Sequence, residues 1–215
     1  MIPSKLSSLL LSLLLTGFTG MAMAQSTPPA EPPKDTMRAE VGKPLLAAEE
    51  LAKNKKFTEA LAKIGEAEAV ANRTAYETYF INRLRATTSL SAGNEEQAVK
   101  SLVLAFESPH MPAADKAKIG DAITRIFYRL KDYKAAADWG NRTLKEPGAQ
   151  QDLRLVMGHS LYLQNDFPAA TKELEAHIAA TEKAGKKPPE EQYRLWASSA
   201  NKGKDDATYV AVLEK

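Results

Sequence analysis

The chain has 215 residues, no cysteine, 26% charged residues and 44% hydrophobic ones, the proportions of a soluble, globular protein of one or two domains. Its formal net charge of +2 argues against a dedicated nucleic-acid binder, which carries a basic excess. Without cysteine there is no disulfide framework, thiol nucleophile, Cys-ligated zinc or iron–sulfur cluster.

Residues 1–24 read as a signal peptide. Lys5 supplies a positive start, Leu6 to Phe18 form an apolar run, and Ala22-Met23-Ala24 before Gln25 spells an A-x-A cleavage site. The run is too short for a comfortable membrane span. An exported, periplasmic chain starting at Gln25 is therefore expected; the alternative is a retained leader that anchors the N-terminus in the membrane. Residues 25–43 carry Pro28-Pro29 and Pro32-Pro33 and read as an extended tether, with room for a helical turn around Met37 to Val41.

From residue 44 the pattern is helical. Asn54 to Lys56, Gly93-Asn94, Lys131-Asp132 and Gln164 to Asp166 each break a helical run. After each break a second helix opens with an alanine: Ala60, Ala98, Ala136 and Ala170, at intervals of 38, 38 and 34 residues. Thr208 stands 38 residues further on, in a weaker fifth unit. Thr74 and Glu77 have the spacing of a capping box, while Pro109, Pro112, Pro147-Gly148 and Gly185 to Pro189 separate the units. Alternating apolar runs and hairpin dipeptides are missing, so no strand is expected. These signals predict an all-α array of about five helix hairpins over 44–215, divided as 44–72, 74–109, 113–147, 151–184 and 189–215. The last is read as incomplete, because Leu213-Glu214-Lys215 ends a helical pattern with no cap or breaker.

The unit from Gln151 to Lys172 is the clearest. Gly158 and Ala170, twelve apart, are predicted to face each other across two close helices, with Phe167 plugging the wedge where they splay. At Gly158, Leu161, Phe167 and Ala170 the unit resembles a tetratricopeptide (TPR) hairpin. Glu40 to Pro44, Tyr128 to Tyr133 and Tyr209 to Lys215 are also similar to stretches of exported bacterial TPR proteins. The resemblance implies a right-handed α-solenoid of stacked antiparallel hairpins. Two departures stand out: Glu95 occupies the aromatic position of the second unit, and Gly140 a bulky position of the third, where Trp139 is placed to fill the space.

In TPR arrays the first helix of each hairpin lines a concave groove. Carried onto this chain, that register offers Phe80, Arg83 and Thr87 from the second unit. The third offers Lys118, Asp121, Arg125, Tyr128 and Arg129, and the fourth Asp152, His159 and Tyr162. Arginine and tyrosine commonly anchor protein interfaces. The third unit is therefore expected to present Lys118, Arg125, Tyr128 and Arg129 on one face, able to grip a carboxylate. The carboxylate clamp by which some TPR domains hold chaperone C-termini is missing: Leu45, Glu49, Ala122 and Val156 stand at its positions.

Catalytic patterns are missing as well. The sequence has no phosphate-cradling loop, dinucleotide fingerprint or nucleophile elbow. His110, His159 and His177 lack metal-ligand spacing, although His159 and His177 share a unit and could face each other. The expectation is a non-enzymatic scaffold that binds a protein or peptide in its groove, with no cofactor, metal, nucleic acid or small-molecule substrate. A membrane-tethered subunit or spacer of an envelope assembly is the alternative.

Overall fold

The structure is a computed structural model that describes residues 35–215. The leader and the proline pairs of the tether lie outside the described residues. Among the described residues there are ten helices and no strand: α1 Ala39–Lys53, α2 Phe57–Ala69, α3 Ala75–Ser91, α4 Glu95–Phe106, α5 Ala113–Arg129, α6 Tyr133–Thr143, α7 Leu153–Leu163, α8 Phe167–Lys183, α9 Glu190–Lys202 and α10 Asp206–Leu213. They pair as five hairpins, and the second helix of each packs on the first helix of the next.

All five turns inside the hairpins are built alike. The second residue past each first helix is left-handed: Lys55, Gly93, Lys131, Asn165 and Lys204 have φ between 60° and 77°. The next residue then donates its N–H to a carbonyl five positions back, as in Lys56 to Leu51, Asp132 to Phe127 and Asp205 to Ala200. This closes the helix end by the Schellman pattern. In all five turns that same residue is the N-cap of the second helix, and in four it caps with its side chain. Asn94, Asp132, Asp166 and Asp205 each accept a hydrogen bond from the N–H three residues on, which satisfies one orphan donor of the new helix. A three-residue connection thus ends one helix, reverses the chain and begins the next.

Superposing these turns fixes the register. Seven residues before the left-handed position lie Ala48, Ala86, Thr124, Gly158 and Ala197, all buried. Five residues after it lie Ala60, Ala98, Ala136 and Ala170, fully buried, and in the fifth hairpin Tyr209. The fifth marker is therefore Tyr209 and not Thr208, because the repeat from Asn165 to Lys204 is 39 residues long.

Two contacts differ from the sequence expectation. Gly158 abuts Leu174, one turn beyond Ala170: a Cβ added at Gly158 would fall 2.7 Å from Leu174 Cγ. Gly140 abuts Met157, whose Cγ would lie 2.3 Å from such a Cβ. Met157 of α7, fully buried, thus fills the third hairpin's missing bulk. Trp139 instead stands edge-on to Phe106, with ring centroids 5.1 Å apart.

The first helix begins at Ala39, inside the stretch expected to be tether up to residue 43. Arg38 explains the early start. Its Nε and Nη2 each donate to the Glu77 carboxylate at 2.8 Å, and its backbone N–H adds a third bond at 3.0 Å. Glu77 is fully buried and also closes the expected capping box with Thr74. The Arg38 guanidinium holds the Glu77 carboxyl down at about 2, against an ordinary 4.5. At the other end, Tyr209 and Val212 of α10 pack on Leu174 and Trp196. Val210 and Leu213 are exposed, and Lys215 turns back to the Glu182 carboxylate at 2.8 Å.

Candidate functional site

Residues six and ten positions before each left-handed turn residue share one face of the first helices. On α1 and α3 they bring Leu45 and Glu49 beside Arg83 and Thr87. With Phe80 and Leu84 these side chains line a cleft of about 360 Å³. Phe80 forms its apolar wall, its ring tilted against Tyr76 with centroids 4.8 Å apart and edge-on to Tyr79 at 5.2 Å. Arg83 is exposed and has no ion-pair partner among the described residues. Leu45 and Glu49, which exclude the chaperone clamp, are thus part of a different pocket on the same face.

The α5 cluster is arranged otherwise than expected. Arg125 donates through Nε to Asp121 at 2.8 Å and through Nη2 to Asp152, beside the start of α7, at 3.1 Å. These two carboxylates, Asp121 first, raise the guanidinium's affinity for its proton. Arg129 turns the opposite way, donating to Glu95 at the start of α4 at 2.6 Å. Lys118 stands exposed near the other end of the helix. Lys118, Arg125, Tyr128 and Arg129 lie toward one side of α5, as their spacing requires, but the two arginines do not form one free cluster. They diverge to neighbouring hairpins and are already neutralised, because each junction uses one of them as a bridge.

Tyr128 pairs with His159 of α7, the phenol oxygen lying 2.7 Å from Nδ1. Burial lowers the His159 pKa and raises that of Tyr128. Both are then neutral at pH 7, and the imidazole tautomer sets whether the phenol donates to Nδ1 or accepts from Nδ1–H. His177 does not meet His159: it is buried and hydrogen-bonded through Nε2 to Gln192 at 2.9 Å. Among the described residues no three His, Cys, Asp or Glu side chains are grouped to hold a metal ion.

Tyr162 joins α7 to α9. Its hydroxyl is 3.0 Å from Ser198 Oγ, and the Lys202 ammonium lies 4.7 Å from its ring centroid. Hydrogen bonding to Lys202 and then Ser198 lowers the phenol's pKa. Sequence reasoning missed Ser198 and Lys202. Their signal was positional: Ser198 holds the place of Arg125 and His159 in the register, and Lys202 that of Arg129. The face as a whole therefore carries an apolar cleft with a free guanidinium at one end and aromatic rings with a cation at the other.

No family model and no curated protein sequence matches this chain. Among solved structures it is similar to a MamA point mutant, with a TM-score of 0.55 and 10% identity over 82% of this chain and 90% of that one. It is also similar to BtubC from P. vanneervenii, with a TM-score of 0.51 and 17% identity over 81% and 77%. A second MamA structure, from MSR-1, gives 0.50 and 11% over 81% and 91%. These are TPR proteins, and at such identities the likeness establishes the fold: a TPR-like α-solenoid of helix hairpins.

Proposed function

We propose that this chain is an exported, non-enzymatic scaffold that holds a protein or peptide partner along its first helices. The observation that carries the reading is the cleft between α1 and α3, where the free Arg83 guanidinium stands beside Phe80 and Leu45. An extended segment gains there both apolar burial and a charge-assisted bond to one of its carboxylates. Further along, Tyr128, His159 and Tyr162 offer aromatic surfaces of small conformational entropy cost. Arg125 contributes less than Arg83, because a partner's carboxylate must displace Asp152 to reach it. Export is supported by the leader's charged start, apolar run and A-x-A site; among the described residues no helix is long and apolar enough to cross a membrane.

The test is a pull-down from envelope extract of the native host with the wild-type chain, Arg83→Ala and Arg125→Ala side by side. A partner retained by wild type, lost with Arg83→Ala and largely kept with Arg125→Ala supports the reading. A partner indifferent to both places recognition elsewhere. Mass spectrometry of the same preparation reads the N-terminus: Gln25 supports export with cleavage, and Met1 supports the membrane-tethered alternative.

A further inference from the structure

A second groove lies away from the first-helix face, where the second hairpin meets the third. Its floor is Phe127 and Leu130 at the end of α5, its walls are Val99, Val103 and Leu104 of α4, and its volume is about 610 Å³. The other junctions show why it exists. Residue 57, 133 or 167, the first of the second helix, is aromatic in the first, third and fourth hairpins; here it is Glu95. In the fourth hairpin that aromatic packs against the next hairpin, with Phe167 Cβ 3.4 Å from where a Cβ on Gly203 would stand. At the corresponding place Glu95 instead reaches out to Arg129, and a second hollow, next to the groove, stays open beside Leu130.

The outward positions of α4 are also unlike their equivalents. Val103 and Leu104 stand where α2 has Gly65 and Glu66, α6 has Asn141 and Arg142, and α8 has Glu175 and Ala176. Leu104 is 57% exposed. The far end of the junction is closed by the Phe106–Trp139 ring pair, with the Arg142 guanidinium 4.6 Å from the Phe106 ring centroid and paired with Glu107. The groove is therefore an open apolar trough on the surface of this one junction, walled chiefly by aliphatic side chains of α4.

Its charge is uneven. Glu96 of α4 and Asp132, the N-cap of α6, both line the groove, and neither has an ion-pair partner among the described residues. Lys100 lies one turn further along α4. We propose that this groove binds a partner segment in which an aromatic side chain stands next to a lysine or arginine. The ring packs on Val99, Val103, Phe127 and Leu130, and the cation sits between Glu96 and Asp132. A volume of this size accommodates such a ring with its flanking backbone.

The test is titration of the 15N-labelled protein with the blocked peptide acetyl-Gly-Lys-Phe-Lys-Gly-amide, and with versions carrying Glu flanks or a central Ala. The Lys-flanked Phe peptide at millimolar concentration should shift the amides of Val99, Leu104 and Leu130, and Glu flanks should weaken binding about tenfold. Leu104→Glu, at an exposed position that leaves the fold intact, should abolish the shifts, and Glu96→Lys should reverse the charge preference. No shifts, or shifts confined to α1, α3 and α7, would overturn the proposal. So would equal binding of the Glu-flanked peptide. Concentration-dependent shifts at the groove without peptide would assign it to a second copy of the chain and overturn the proposal too. The Arg83 variants leave this experiment untouched, so its outcome is separate from that of the pull-down.

Discussion

The junction between the third and fourth hairpins and that between the second and third differ in packing, one filled and the other open. Where the former puts Gly140 against Met157, the latter has the buried Leu102 and Ile123, and its gap lies instead beside Val99 and Val103. In the filled one, Gly140 leaves room and the fully buried Met157 enters it from the next hairpin, so the helices approach closely there. In the open one, α4 presents Val99 and Val103 to a gap that Glu95 does not enter. A repeat protein is stabilised by nearest-neighbour interfaces, so substitutions in one junction can be read without disturbing the other.

The largest effect is expected in the filled junction. Met157→Ala empties the space over Gly140 and should cost about 2–5 kcal/mol, as buried Met truncations do, read as a lowered urea midpoint. Overpacking the fourth hairpin comes next: Ala170→Leu at a fully buried position should cost about 1–3 kcal/mol, and an unchanged melt would show that the register drawn from the turns is wrong.

How far the sequence carried is visible in these residues. The hairpins were legible because each turn repeats the same requirements: a helix end, a left-handed residue, then a capping side chain. The capping box at Thr74 and Glu77 was legible for the same reason. Contacts between hairpins were not, since they depend on the connections, which run from five residues at 70–74 to nine at 144–152. Those lengths decide that Gly140 meets Met157. They also decide that His159 finds Tyr128, while His177 finds Gln192. Helical periodicity placed Arg125 and Arg129 on one helix but was silent about Asp152 and Glu95, the carboxylates that draw them apart. Arg38 was silent for another reason: its partner Glu77 lies 39 residues away.

That ion pair gives the junction of the first two hairpins a different response, to acid. The Glu77 carboxyl is held at about 2, chiefly by Arg38, against 4.5 when free. Because the folded value is depressed, its contribution is fully present above about pH 4.5 and is lost as pH falls toward 2. Thermal melts between those limits should show a steeper acid loss for wild type than for Glu77→Gln, which lacks the titrating group. The open junction should gain from filling. Glu95→Phe restores the aromatic of the other hairpins and is expected to stabilise by about 0.5–2 kcal/mol, the usual return of cavity filling. The smallest effect belongs to Arg129→Gln. It breaks a bridge whose partners are both solvent-accessible, and such exposed pairs contribute less than about 1 kcal/mol.

Site-specific photocrosslinking in the native host tests the proposed partner-binding role most directly. A benzophenone side chain introduced at Thr87 or Ser198, on the first-helix face, should capture a defined partner, whereas the same group at Lys134 or Glu175, on second helices, should not. Crosslinks confined to Lys134 and Glu175, or none at Thr87 and Ser198, would contradict the account.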